Sequence, residues 1–131
     1  NLDDYIKQYS ILSNIEQAVL KNDTQKIVQL IKMARNLPQA FVCSNDRAAI
    51  ALLMALQILN MNVPEDISLV GFDNIDMCEK VNPKLTTVHV DKEALGKRAV
   101  QRLKYQIEHP NSAPENTVIS VRLVERDSVK R

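Results

Sequence analysis

Two short polar clusters carry most of the chemistry this sequence can offer. Cys43-Ser44-Asn45-Asp46 and Phe72-Asp73-Asn74 each continue directly from an apolar run. A carboxylate accepts hydrogen bonds, and a carboxamide both accepts and donates them. Such a pair suits gripping the hydroxyls or ring nitrogens of a small ligand better than covalent chemistry. Asn45 and Asp73 are therefore the candidate ligand-binding residues. Asn45 or Asp46 reads as a helix N-cap, with Asp46 favoured, because the pair opens an apolar helical stretch. Asn74 reads as a cap for the short segment that follows.

Other reactive side chains lack companions. His89 and His109 have no carboxylate or cysteine at ligand spacing, so no metal site is expected. Ser44 has no G-x-S-x-G surroundings and no recognisable base. Cys43 lies in an apolar run and reads as packing. Glycine occurs only at Gly71 and Gly96, which excludes a Walker loop or a G-x-G-x-x-G fingerprint. No catalytic residue and no cofactor are expected. Lys97, Arg98, Arg102 and Lys104 form a basic helix surface, read as a solvated face because no aromatic residues interleave to stack bases.

The elements that must position these clusters alternate. The first 22 residues are the least legible, with a short helix at 2–9. Asp23 caps a helix carrying Ile27, Leu30, Ile31 and Ala34, which ends before Pro38. Residues 40–43 form an apolar strand, followed by a helix to about Asn60. Strands follow at 67–72 and 85–90, separated by a short helix or turn over 73–81. Asp91 caps a long helix with Leu95, Ala99, Leu103 and Ile107 on one face, and a final strand covers 118–124. Buried, non-alternating strands joined by helices predict an α/β fold: a three-layer sandwich around a mostly parallel sheet. In such sheets ligands sit beyond the carboxyl ends of the strands, where both polar clusters fall. The helix after Asp46 carries no charge beyond Arg47 and is apolar on nearly every face. One side is expected on the sheet and the other on a partner.

The chain has 131 residues, 45% of them hydrophobic and 25% charged, enough for a single core. Lys and Arg number 17 against 16 Asp and Glu, so no global field draws in nucleic acid or a membrane. No apolar run reaches the length of a membrane span. Cys43 and Cys78 stand far apart, which fits a reducing cytoplasm. The chain opens on Asn1, as a fragment of a longer protein would.

Four phrases share an order and spacing: FVCSNDRAAIALLMAL at 41–56, VPEDISLVGFDN at 63–74, NPKLTTVHVDKEALGKRAVQRL at 82–103 and VRLVERDSV at 121–129. Together they resemble the LacI/GalR family of bacterial transcriptional repressors, over about residues 22–129. The resemblance implies the C-terminal part of an effector-binding core with the type I periplasmic-binding-protein-like fold. It implies one incomplete domain over 1–131, with elements of 91–131 belonging to the other subdomain or crossing the hinge. A sugar-like or purine-like effector would bind between the subdomains, with contacts from Asn45 and Asp73. Operator DNA would be reached only through a helix-turn-helix domain outside this chain. Homodimers would form through the helix after Asn45-Asp46 and the segment after Asp73-Asn74, assigning Ala48, Ala51, Leu52, Ala55, Ile75, Cys78 and Val81 to the interface. The chain departs from relatives in lacking the first strand and an arginine-containing helix start, and in having Val90 where Gln is frequent. A missing first strand would leave strand edges open. Rival readings are a solute-binding protein for transport and a small α/β enzyme using Asp73 as a base; a phosphoacceptor receiver domain lacks its acidic pair.

Overall fold

The computed structural model describes residues 2–34 and 36–131. Helices α1 (Leu2–Leu20) and α2 (Thr24–Met33) lead into strand β1 (Ala40–Val42) and helix α3 (Asp46–Ile58). Strand β2 (Ser68–Asp73), a 3-10 turn (Asp76–Glu79), strand β3 (Thr86–His89), helix α4 (Lys92–Glu108) and strand β4 (Arg122–Val124) complete the chain. The sheet order is β1-β2-β3-β4. β1 and β3 run parallel to β2, and β4 runs antiparallel to β3. This is the mostly parallel α/β sheet expected from the alternation.

Three elements depart from the sequence reading. Helix α1 continues well past residue 9, because Ile11, Ile15, Ala18 and Val19 recur on one face and are buried. The last strand shrinks to Arg122–Val124. Arg122 pairs with His89, the last residue of β3, so residues before 122 have run beyond the partner strand. Helix α3 is apolar all round for a reason found within the chain: β2 lies under one side, and α1 and α2 pack on the other. Ala48, Ala51, Leu52 and Ala55 are accordingly buried in the chain's own core, as is Cys78, while Ile75 and Val81 are half-buried. The partner read from that helix is not needed to cover it.

The helical layer covers one sheet face, meeting Leu69 and Leu85. The opposite face, carrying Val70, is only partly covered, by the C-terminal tail. The sandwich is incomplete, and β1 stands at the sheet margin with Val42 81% exposed. Helix α4 buries none of its residues, and Leu95, Leu103 and Ile107 face solvent.

Ser128 closes the sheet from the tail. Its hydroxyl donates to the Leu69 carbonyl at 2.6 Å and accepts from the Thr86 amide at 2.8 Å. Its own carbonyl accepts from the Leu69 amide at 2.7 Å. A buried hydroxyl joining two strands is costly to remove, because donor and acceptor on the sheet lose their partner. Ser128→Ala is expected to lower unfolding free energy by about 2 kcal/mol, read from urea denaturation. An unchanged midpoint would show that the tail does not secure the sheet.

Candidate functional site

The carboxyl ends of β1 and β2 lie side by side, with Val42 in register with Val70. Asn45 and Asp73 therefore emerge at one edge of the sheet, on adjacent strands, and both are half-buried. Asn45 has extended backbone, φ −156° and ψ 167°, and its Oδ1 accepts from the Ala48 amide at 2.9 Å. Asn45, rather than Asp46, is thus the N-cap of α3. Its carboxamide oxygen is committed to the helix, and its NH2 group has no hydrogen-bond partner among the described residues.

Asp46 does something the sequence reading missed. It is the first residue of α3 and 1% exposed. Its carboxylate accepts from the Thr87 hydroxyl on β3 and, at 2.9 Å, from the Ile75 amide beyond β2. The Asp46 carboxylate also pushes up the buried Cys78 thiol. This carboxylate fits because position 71 is glycine: a Cβ there would overlap Asp46 Oδ1. The one available signal was an acidic residue opening an otherwise apolar helix, and capping was the simpler reading of it.

Beyond β2 the chain turns in the left-handed region. Asp73 has φ 109° and Asn74 has φ 55°. Non-glycine residues occupy this region at a cost, with Asn and Asp the most tolerant. Neighbouring elements hold the corner from several sides. Lys92 Nζ donates to the Asp73 carbonyl at 2.5 Å. Arg126 donates to Asn74 Oδ1 at 2.8 Å, and Asn74 Nδ2 lies 3.2 Å from His89 Nδ1. Asn74 therefore bridges the tail and β3 instead of capping the turn, where Ile75 stands at the N-cap position without a side-chain bond. The Asp73 carboxylate has no hydrogen-bond or ion-pair partner among the described residues.

Arg126 is the other residue that sequence reasoning passed over. Its side chain is 10% exposed and pairs with Glu79 at 3.1 Å. Its second guanidinium nitrogen donates to the Leu85 carbonyl at 2.8 Å, and its amide donates to Thr86 Oγ1 at 2.9 Å. A polar cavity of about 420 Å³ lies beside Asn74, Asp76, Glu79 and Arg126. An apolar one of about 250 Å³ lies at the β1 margin between Val19, Phe41 and Leu52.

Nucleophilic and metal chemistry find little footing here. Burial pushes the Cys43 thiol up from its ordinary 9.0 to about 11. Burial first, and then the Asp46 carboxylate, push Cys78 up to about 12. Both thiols stay protonated at neutral pH and are poor nucleophiles. Among the described residues no group of three His, Cys, Asp or Glu side chains is placed to hold a metal ion. Three basic residues of α4 are matched by carboxylates: Lys97 with Glu93 at 2.7 Å, Arg102 with Glu115 at 3.0 Å and Lys104 with Glu108 at 3.8 Å.

The family model described as "Periplasmic binding protein-like domain" matches residues 6–129. Among curated relatives, the HTH-type transcriptional repressor PurR of Vibrio vulnificus (strain CMCP6) is 39% identical over 94 residues, covering 72% of this chain and 28% of the repressor. A LacI family transcriptional regulator from Enterococcus faecium with bound ribose superposes with TM-score 0.69 at 32% identity, over 81% of this chain and 40% of that one. The Lac repressor dimer bound to operator and the anti-inducer ONPF superposes with TM-score 0.71 at 30% identity, over 80% of this chain and 36% of that one. The chain spans about three tenths of the length of the curated relatives it matches.

The thiols supply a test of the buried interior. Folded-state values above the unfolded 9.0 contribute stability that is full below about pH 9 and is lost as pH rises toward 11 for Cys43 and 12 for Cys78. Urea midpoints are expected to fall more between pH 8 and pH 10.5 for wild type than for the double variant Cys43→Ala, Cys78→Ala. Parallel pH profiles would mean that the thiols are not buried as described.

Proposed function

The chain belongs to the periplasmic binding protein-like domain family, in its LacI/GalR branch, and from that premise we propose that it is the effector-sensing and dimerisation portion of a bacterial transcriptional regulator. The ligand is a small sugar-like or nucleobase-like effector. Asp73 accepts hydrogen bonds from its polar groups, and the Asn45 carboxamide donates to it. Neither residue does covalent chemistry. The observation that carries this reading is the Asp73 carboxylate at the carboxyl edge of the sheet, unpartnered among the described residues, on a corner where the Asp73 carbonyl, the Asn74 side chain and the Ile75 amide are engaged. The ribose bound in the Enterococcus faecium neighbour supports a polyol as one ligand class.

Helix α4 and the strand segment after it belong to the second subdomain or to the crossing between the two. The fully exposed apolar stripe of α4 supports this, since such a stripe is normally covered. Effector binding in the cleft favours one arrangement of the subdomains, by as much as its affinity differs between arrangements. Helix-turn-helix heads outside this chain read that arrangement on operator DNA. A protein of this kind works in the cytoplasm, and no helix among the described residues is long and apolar enough to cross a membrane. A solute-binding role in transport uses the same fold; the repressors among the relatives favour regulation.

The homodimer face is built around the exposed part of α3 and the 3-10 turn. Arg47, Ile50, Ala51, Met54, Ile75 and Met77 line a shallow groove there. Ala48, Leu52, Ala55 and Cys78 support it from beneath, because their own side chains are enclosed. Met54 and Met77 are the large apolar side chains it offers to a second copy.

Two measurements on the full-length protein test these assignments. In a thermal-shift screen with ribose, lactose and adenine, a ligand at about 100 times its Kd stabilises by about 2.7 kcal/mol. Asp73→Ala is expected to weaken a binding ligand about tenfold or more, the weight of a charge-assisted hydrogen bond. A shift equal in variant and wild type removes Asp73 from the site. In analytical ultracentrifugation, Met54→Glu with Met77→Glu is expected to convert dimer to monomer at micromolar concentration. A dimer indifferent to both charges places the interface elsewhere.

A further inference from the structure

We propose that Asn74 is a positioning residue of the ligand corner: pinned through its oxygen by Arg126, it sets the tautomer of His89 and ties the Asp73 corner to the end of β3 through a hydrogen bond that exists only while His89 is neutral. The proposal rests on the reading of the Asp73 corner as the effector site.

Donor and acceptor chemistry drives the assignment. A guanidinium carries five N–H donors and no acceptor. Arg126 is held in place by the Leu85 carbonyl, the Thr86 hydroxyl and Glu79, so its direction toward Asn74 is not free to change. Whatever atom of Asn74 faces it must be an acceptor, which makes it Oδ1, at 2.8 Å. The other end of the planar carboxamide is then NH2, and it faces His89 Nδ1 at 3.2 Å. An NH2 group has only hydrogens to offer. His89 Nδ1 must therefore present its lone pair, and the neutral ring carries its proton on Nε2.

The same geometry blocks the usual escape. Protonating His89 places a hydrogen on Nδ1, opposite the hydrogens of Asn74. Rotating the carboxamide by half a turn would relieve that contact but would set NH2 against the guanidinium. The bond is lost, and one of the side-chain ties on the left-handed pair Asp73-Asn74 goes with it.

The test uses the full-length protein with 15N-labelled histidine, the His89 ring resonances assigned through His89→Gln. Wild type is expected to show the Nε2–H tautomer at pH 8. Asn74→Asp keeps an acceptor for Arg126 and tolerates the left-handed backbone, yet turns an acceptor toward His89. It is expected to reverse the ring to Nδ1–H or to the imidazolium. An Nδ1–H ring in wild type, or a pattern unchanged in Asn74→Asp, overturns the proposal, and neither readout needs a ligand. With ribose as the probe, Asn74→Asp is expected to weaken affinity about fivefold, the weight of one neutral hydrogen bond. Equal affinity in the two proteins overturns the positioning role. Ribose failing to bind wild type counts against the effector-site reading on which the role depends, while the tautomer result still decides the Arg126–Asn74–His89 geometry.

Discussion

A carboxylate taken out of water needs donors, and Asp46 collects them from separate parts of the chain. The Thr87 hydroxyl comes from β3 and the Ile75 amide from beyond β2. The carboxylate itself opens α3, directly after β1. One buried group therefore ties together the elements that leave the carboxyl edge of the sheet. Removing it would strand those donors away from solvent, which costs more than the bonds themselves contribute. The space for it exists because Gly71 brings the β2 backbone close to the start of α3.

A second set of ties comes from the far end of the chain. Arg126 and Ser128 reach back more than forty residues in sequence to Leu85, Thr86, Asn74 and Leu69. They are the physical content of the motif around RLVERDSV. Arg126 and Ser128, two residues apart in that motif, satisfy groups of β2, of β3 and of Leu85 beyond the three residues of β4. Between them, Asp46 and the tail leave the Asp73–Asn74 corner fixed in backbone while the Asp73 carboxylate stays open. The proposed ligand role of Asp73 rests on that combination, since a binding site needs rigidly supported polar groups.

The surfaces left uncovered are equally informative. Val42 at the sheet margin and the stripe Leu95, Leu103 and Ile107 on α4 lie bare. The chain spans about three tenths of the length of its curated relatives. The helical layer over α3 is complete on its own, because α1 and α2 supply it.

Helix periodicity, strand runs and caps such as Asp23 and Asp91 were legible in order, since local spacing and capping chemistry depend on neighbours a few residues away. The resemblance carried by VPEDISLVGFDN and its companion phrases named the family for the same reason: it is a linear pattern. The placement of Asn45 and Asp73 at one sheet edge followed from parallel strand logic. The roles of Asp46, Asn74 and Arg126 did not follow, because each is defined by partners 15 to 52 positions away. The single sequence also could not tell whether α3's second apolar face met a partner or its own α1 and α2, as hydrophobicity records the need for burial and not what provides it. Composition and spacing determine which residues seek burial or hydrogen bonds; only the folded chain decides which groups meet them, since those distances are closed by topology.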